Sequence, residues 1–235
     1  MKTVLHKADT RGHADHGWLN AWHSFSFAGY YDPSRIHFGA LRVLNDDTIA
    51  GGMGFGSHPH DNMEIITIPL SGQLEHHDSM GNTGIISKGE VQVMSAGTGI
   101  QHSEKNKYSR EPLKLLQIWV FPDTKNVKPR YDQRAFDMDA AKNSLLNIVS
   151  PMGSDVGLNI HQHAWFHIGK LDKDVNLTYE LKDKENGVYA FLIEGEANIN
   201  GEKLNRRDAI GITELGKLEI KAGADSEILL MEIPM

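Results

Sequence analysis

The 235-residue sequence contains no cysteine, which excludes disulfides, zinc fingers, thiolate metal centres and a cysteine nucleophile. Any bound metal must rest on His, Asp or Glu. No apolar run approaches the roughly 20 residues needed to span a bilayer, and Met1 to Asp15 is polar and mixed in charge. A cytoplasmic protein with no membrane association is therefore expected. Positive charge is also short, with 24 Lys and Arg against 31 Asp and Glu and a formal net charge of -7. That balance argues against a broad phosphate-binding face and leaves only local patches such as Arg206-Arg207, so nucleic acid is not an expected partner.

What is present is a 40% hydrophobic chain, enough for a substantial core, and a length that accommodates two domains at roughly 100–200 residues each. Short apolar stretches alternate with Gly-rich or polar turns, the pattern of an all-β protein. The clearest strand-like runs are Glu64 to Leu70, Glu90 to Met94, Leu113 to Phe121, Val188 to Ile193, Ala197 to Ile199 and Ile228 to Ile233. Met80-Gly81-Asn82, Ser87-Lys88-Gly89 and Asn200-Gly201 supply turn chemistry between them. Asp123 to Gln133, bearing Pro129 and preceded by Pro122, reads as a linker, and Asp137 is placed to cap a short helix running through Ala140 and Leu145. The division falls at residues 1–134 and 135–235. A shared formula in Ile68 to Gly89 and Phe191 to Asp208 suggests that the second unit duplicates the first.

Among 13 histidines, spacing separates candidates from bystanders. His58 and His60 are two apart, which on a strand places both imidazoles on one face about 6.5–7 Å from each other. His102 and Glu104 repeat that spacing after the turn Gly97-Thr98-Gly99, and if the two strands are neighbours four donors converge. Three imidazoles and a carboxylate suit a divalent transition metal, and an octahedral ion would keep two positions open. Glu64 shares the strand parity of His58 and His60, so geometry alone leaves Glu64 and Glu104 both open as the carboxylate. His76 and His77, being adjacent, face opposite sides of a strand and are assigned no metal. His161, His163 and His167 lack a nearby inward carboxylate and read as packing or surface residues.

Several segments resemble the pirin family of the cupin superfamily, and its bacterial quercetin 2,3-dioxygenase-like branch in particular. They are His23 to Phe27, Tyr30 to Pro33, Leu41 to Asp47, Phe55 to Glu64, Glu75 to Asn82 and Met94 to Glu104. The resemblance covers roughly the first 135 residues and is fold-level beyond. It implies two stacked β-barrels, a bicupin. A metal-binding barrel would occupy residues 1–134 and a degenerate barrel without metal 135–235. It also implies one ion held by His58, His60, His102 and Glu104. Fe(II) is the expected ion, with Mn, Co, Ni, Cu or Zn as alternatives. The activity implied is cleavage of a quercetin-like flavonol by O2 with release of carbon monoxide, Glu104 or else Glu64 taking the proton of the 3-hydroxyl. The alternative is a metal-containing, redox-sensitive transcriptional co-regulator with no turnover. A monomer is expected, because two barrels in one chain can cover each other's open faces. Pro69 departs from the family pattern and puts the local strand ladder in question.

Overall fold

The computed structural model describes residues 1–235 and is almost entirely β. The first half contains β2 (Gly12–Asp15), β3 (Leu19–His23), β4 (Leu41–Ile49), β5 (Gly54–His60), β6 (Glu64–Ser71), β7 (Gln73–Asp78), β8 (Thr83–Ser87), β9 (Glu90–Ser95), β10 (Ile100–Asn106), β11 (Leu113–Val120) and β12 (Arg130–Ala135), preceded by β1 (Lys2–His6). The second half contains β13 (Leu146–Pro151), β14 (Leu158–Ile160), β15 (Trp165–Leu171), β16 (Asn176–Glu180), β17 (Asn186–Glu194), β18 (Glu196–Ile199), β19 (Glu202–Asn205), β20 (Ala209–Thr213), β21 (Lys217–Ala222) and β22 (Ser226–Pro234). Each half pairs a seven-stranded with a four-stranded sheet. The orders are β12-β9-β6-β11-β4-β3-β2 with β5-β10-β7-β8, and β1-β20-β17-β22-β15-β13-β14 with β16-β21-β18-β19. The expected barrels are thus open sandwiches of the cupin type, not closed rings of hydrogen bonds, and the matching orders bear the mark of duplication.

The two seven-stranded sheets pack face to face. Their contact is the largest apolar cluster in the molecule, with Leu44, Ile66, Ile68, Leu116 and Ile118 from one and Phe166, Phe191, Leu229, Met231 and Ile233 from the other. A sheet buried on both faces must be apolar at nearly every position. That is why Glu64 to Leu70 and Leu113 to Val120 read as continuous hydrophobic runs. A second cluster fills the second sandwich, joining Val188, Leu192 and Ile210 to Ile199, Leu218 and Ile220.

Several expectations change. The last four residues of the expected linker, 130–133, belong instead to the edge strand β12, paired with β9 from Arg130↔Ser95 to Ala135↔Glu90. The helix expected after Asp137 is only a 3-10 turn, Met138–Ala141, whose Asp137 side chain accepts from the Asp139 amide; the apolar spacing is too short to propagate α-helix. Pro69 is accommodated by a register shift between Lys114 and Leu115 on the facing strand, a bulge that removes the need for its missing N–H. Asn200 and Gly201, with φ of 48° and 92°, make the two-residue turn between β18 and β19 as expected.

The division at residue 134 is crossed in one respect. Strand β1 is hydrogen-bonded to β20, Lys2↔Thr213 through His6↔Ala209, and occupies in the second sheet the edge that β12 occupies in the first. Each half therefore receives the strand that precedes the other. His6 anchors the exchange: its Nδ1 lies 2.8 Å from the Tyr189 hydroxyl, and both residues are buried. His6→Ala is expected to lower stability by about 1–3 kcal/mol by leaving that hydroxyl unpaired, measured as the shift in the urea unfolding midpoint at constant slope.

Candidate metal centre

Strand β10 lies between β5 and β7, and this placement assembles the site. His102 pairs with His58 across one ladder, and Glu104 pairs with His76 across the other. The approach of β5 to β10 is close because Gly54 has no side chain; a Cβ there would run into the Glu104 carbonyl. His58 is the direct partner of His102, and His60, two residues along the same strand, shares its face; the register shift between His102 and Glu104 then sets Phe55 opposite Glu104. His60 Nε2 lies 3.0 Å from His102 Nε2, and the His58 and His102 rings are 4.4 Å apart. The donor atoms of His58, His60 and His102 fall within 4.8 Å of one another, as do those of His76, His102 and Glu104, with His102 common to both groups.

The electrostatics suit a cation. Burial, followed by the neighbouring imidazoles, lowers the pKa of His102 to about 2; burial chiefly lowers that of His60 to about 4. Both rings are therefore neutral at physiological pH, the ligating form. His58 Nδ1 lies 2.8 Å from the Gly56 carbonyl, which as an N–H donor bond leaves Nε2 free to ligate. The Nδ1 atoms of His102 and His76 are buried without any protein partner. Buried polar atoms in such a state call for something beyond the protein to complete them, and nitrogen and carboxylate donors in this arrangement suit one divalent transition-metal ion.

Glu104 is 2% exposed, and burial raises its pKa above the ordinary carboxylate range. Its neighbours moderate the cost. Gln117 Nε2 donates to Glu104 Oε2 at 2.8 Å, and Thr67 Oγ1 donates to Gln117 Oε1 at 2.9 Å. Thr67 thereby fixes which way round the Gln117 amide faces. These two residues belong to a buried row crossing the seven-stranded sheet, one residue per strand: His23, Asn45, Gln117, Thr67 and Gln92 are successive register partners.

All four expected ligands lie in this region, His58, His60 and His102 in one group of donors and Glu104 in the second, with His76 and the shared His102. Glu64 does not join them. Its Oε2 accepts from Ser95 Oγ at 2.7 Å, and burial lifts its pKa to about 7. The parity argument for Glu64 fails because β5 ends at His60 and the chain turns through Asn62, with φ of 42°, into a different sheet. There Ile66 and Ile68 face the seam between halves, and Glu64 shares their side. His76, which its adjacency to His77 leaves without a metal role in the sequence, belongs to the second donor group. Only His77 is exposed; His76 is fully buried, 5.4 Å from the His102 ring and stacked on Tyr131. Its parity with buried Leu74 was the available signal. Gln117 and Thr67 were legible in the same way, as polar residues inside apolar runs.

The pirin family model matches residues 4–120, and a model described as the quercetinase C-terminal cupin domain matches residues 147–233. The quercetin 2,3-dioxygenase of Escherichia coli strain K12 is 46% identical over 230 residues, 98% of each chain. The chain belongs to the pirin family. A pirin-like protein of Caulobacter vibrioides is 40% identical over 95% of this pirin and 96% of its own length. The crystal structure of the bacterial pirin YhhW from Escherichia coli, in complex with nickel(II), superposes on this pirin with a TM-score of 0.93 at 45% identity, covering 99% of both chains.

Replacing His58 or His102 by Ala is expected to abolish metal retention at pH 7 while circular dichroism shows the β-sheet intact; full metal content in either variant, by elemental analysis, would contradict the assignment. Gln117→Leu should weaken metal binding by about 10–100-fold in competition against a chromophoric chelator. Because burial raises the Glu104 pKa, a proton competes with metal there as pH falls, whereas His60 and His102 are already neutral. Affinity should therefore decline on acidification with proton release on binding, and Glu104→Gln should flatten that dependence. Calorimetry in buffers of different ionisation enthalpy measures the protons released.

Proposed function

We propose that this pirin is a metal-dependent dioxygenase that opens quercetin-like flavonols with O2 and releases carbon monoxide, using Fe(II) in the cell. The observation that carries this reading is the setting of His58 and His60 in the wall of a cavity of about 790 Å³, together with Met63, Ile100, Gln101 and Trp119. Its size falls in the range of small-molecule sites, about 300–1,000 Å³. The relatives named quercetin 2,3-dioxygenase support the substrate class, and the nickel(II) complex of YhhW supports a divalent ion without favouring iron.

Held by His58, His60, His102 and Glu104, the ion would supply Lewis acidity and a template for an ionised hydroxyl and oxygen. The chain supplies the remaining functions. Trp119 stands edge-on to His60 at 4.9 Å and is braced by Phe27 at 5.2 Å, giving the cavity an aromatic wall suited to fused rings. Met63 and Ile100 add apolar surface beside it. Glu104 shares a donor group with His102 behind the cavity wall, and its burial makes it a stronger base than a free carboxylate. Gln117 occupies Oε2, while Oε1 has only the 3.5 Å contact with Thr67 Oγ1, so Oε1 is the oxygen we assign to the flavonol proton. We also read the protein as a cytoplasmic monomer, because the broad apolar faces of its sheets are already spent on each other; no helix is long and apolar enough to cross a membrane.

Incubation with quercetin, with and without air, of protein loaded with Fe(II), Mn(II), Co(II) or Ni(II) tests the activity. Oxygen-dependent loss of flavonol absorbance with carbon monoxide in the headspace is expected. At equal metal occupancy Glu104→Gln should slow turnover by about 10²–10⁴-fold. Metal uptake with no flavonol loss in any form would defeat the enzymatic reading in favour of a redox-responsive regulator.

A further inference from the structure

Away from the metal centre, two arginines at the seam between the halves converge on one acid. Arg11, just before β2, places Nη1 3.3 Å from Asp46 Oδ2; Arg207, in the turn between β19 and β20, places Nε 3.2 Å from the same oxygen. Arg11 is 8% and Arg207 6% exposed. One carboxylate cannot neutralise two guanidiniums, and an uncompensated buried charge is costly. Glu194 offers little relief. It lies 3.5 Å from Arg207 Nη2, its side chain is 48% exposed, and its other oxygen is held by Arg206 Nε at 2.6 Å. Arg207 Nη1 is buried with no partner at all.

The backbone adds a second sign. Arg207 has φ of 67°, a left-handed conformation that a long side chain adopts at a cost. It is held there by its own amide, which donates to the Leu192 carbonyl at 2.6 Å. That strain delivers the guanidinium to a cavity of about 330 Å³, lined also by Arg11, Arg206, Lys114, Asp46 and Asp9. Lys114 makes no ion pair, and with Arg206 taken up by Glu194 three cations, Arg11, Arg207 and Lys114, face two acids, Asp9 and Asp46, in the cavity wall. This excess stands against a net charge of -7 for the whole chain.

We propose that this seam pocket binds a small oxyanion of phosphate or carboxylate type, which completes the charge balance of Arg11 and Arg207 and ties the two halves together at their rim. Guanidinium groups suit such ligands because their planar fork matches two oxygens at once. Asp46 already occupies part of that fork, so an incoming anion shares the arginines with it.

Metal-loaded protein at pH 7 is titrated calorimetrically, and its thermal unfolding followed, in sodium phosphate, malonate or chloride at matched ionic strength. Saturable binding and a raised midpoint are expected with phosphate or malonate and not with chloride. The larger response identifies a phosphate or a dicarboxylate ligand. Arg207→Gln should weaken binding by about tenfold or more, and Lys114→Ala, an exposed change the fold does not need, by about threefold. Asp46→Asn should tighten it, since the competing carboxylate is gone. The proposal fails if wild-type protein shows no saturable response to either oxyanion, or if Lys114→Ala and Asp46→Asn both bind as wild type does.

Discussion

A carboxylate sealed inside a β-sandwich has to be met by hydrogen-bond donors or neutralised, and the first half of this pirin is organised around meeting Glu104. Removing a donor from such a group costs more than making the bond gains. Four adjacent strands each give up one inward apolar position to the row Asn45, Gln117, Thr67 and Gln92. Within it Thr67 holds the amide of Gln117 in one orientation, and the amide holds the carboxylate. The imidazoles above need less support, since burial alone keeps His60 and His102 neutral. Asp47, on the same strand as Asn45, is buried as well, and its pKa is pushed up to about 8 by burial and by the charges of Asp46 and Glu104. The neutral form of Asp47 spares Glu104 a second negative neighbour.

The second half shows what the same topology becomes without such demands. In the four-stranded sheet β16 and β21 take the places of β5 and β10. Tyr179 then stands opposite Leu218, and Leu177 opposite Ile220. Hydrocarbon fills the space that the imidazoles occupy in the first half. The one buried carboxylate nearby, Glu232, is fully engaged, accepting from the Tyr179 hydroxyl, the Lys182 and Asp183 amides and Asn186. It is a structural tie between a strand and a loop, with no oxygen to spare.

Legibility in the sequence followed locality. His58 with His60 and His102 with Glu104 could be read because both members of each pair sit on one strand, where period two fixes a common side. The central strands β6, β11, β17 and β22 were legible for a related reason, since two-sided burial writes continuous apolar runs. Glu64 was misplaced because parity stops at Asn62, where the strand ends and the next belongs to another sheet. The convergence of Arg11 and Arg207 on Asp46 joins segments distant in sequence, and no spacing rule reaches across them. Strand β12 was hidden by its charged residues, which an edge strand tolerates because one of its sides is unpaired. The family resemblance, strong in the first half, carried the choice of Glu104 over Glu64 that spacing alone left open.

The exchange of β1 and β12 binds each half to the other. Two copies of one unit, each lending its leading segment to the other's sheet edge, is the arrangement of a domain-swapped dimer, and such swaps offer a low-cost route to dimerisation. Here the two units are joined by the stretch from Phe121 to Pro129. The present chain therefore has the architecture of two like units joined end to end, each closing the sheet edge of the other, so that neither sheet is complete without a segment from the far side of the linker.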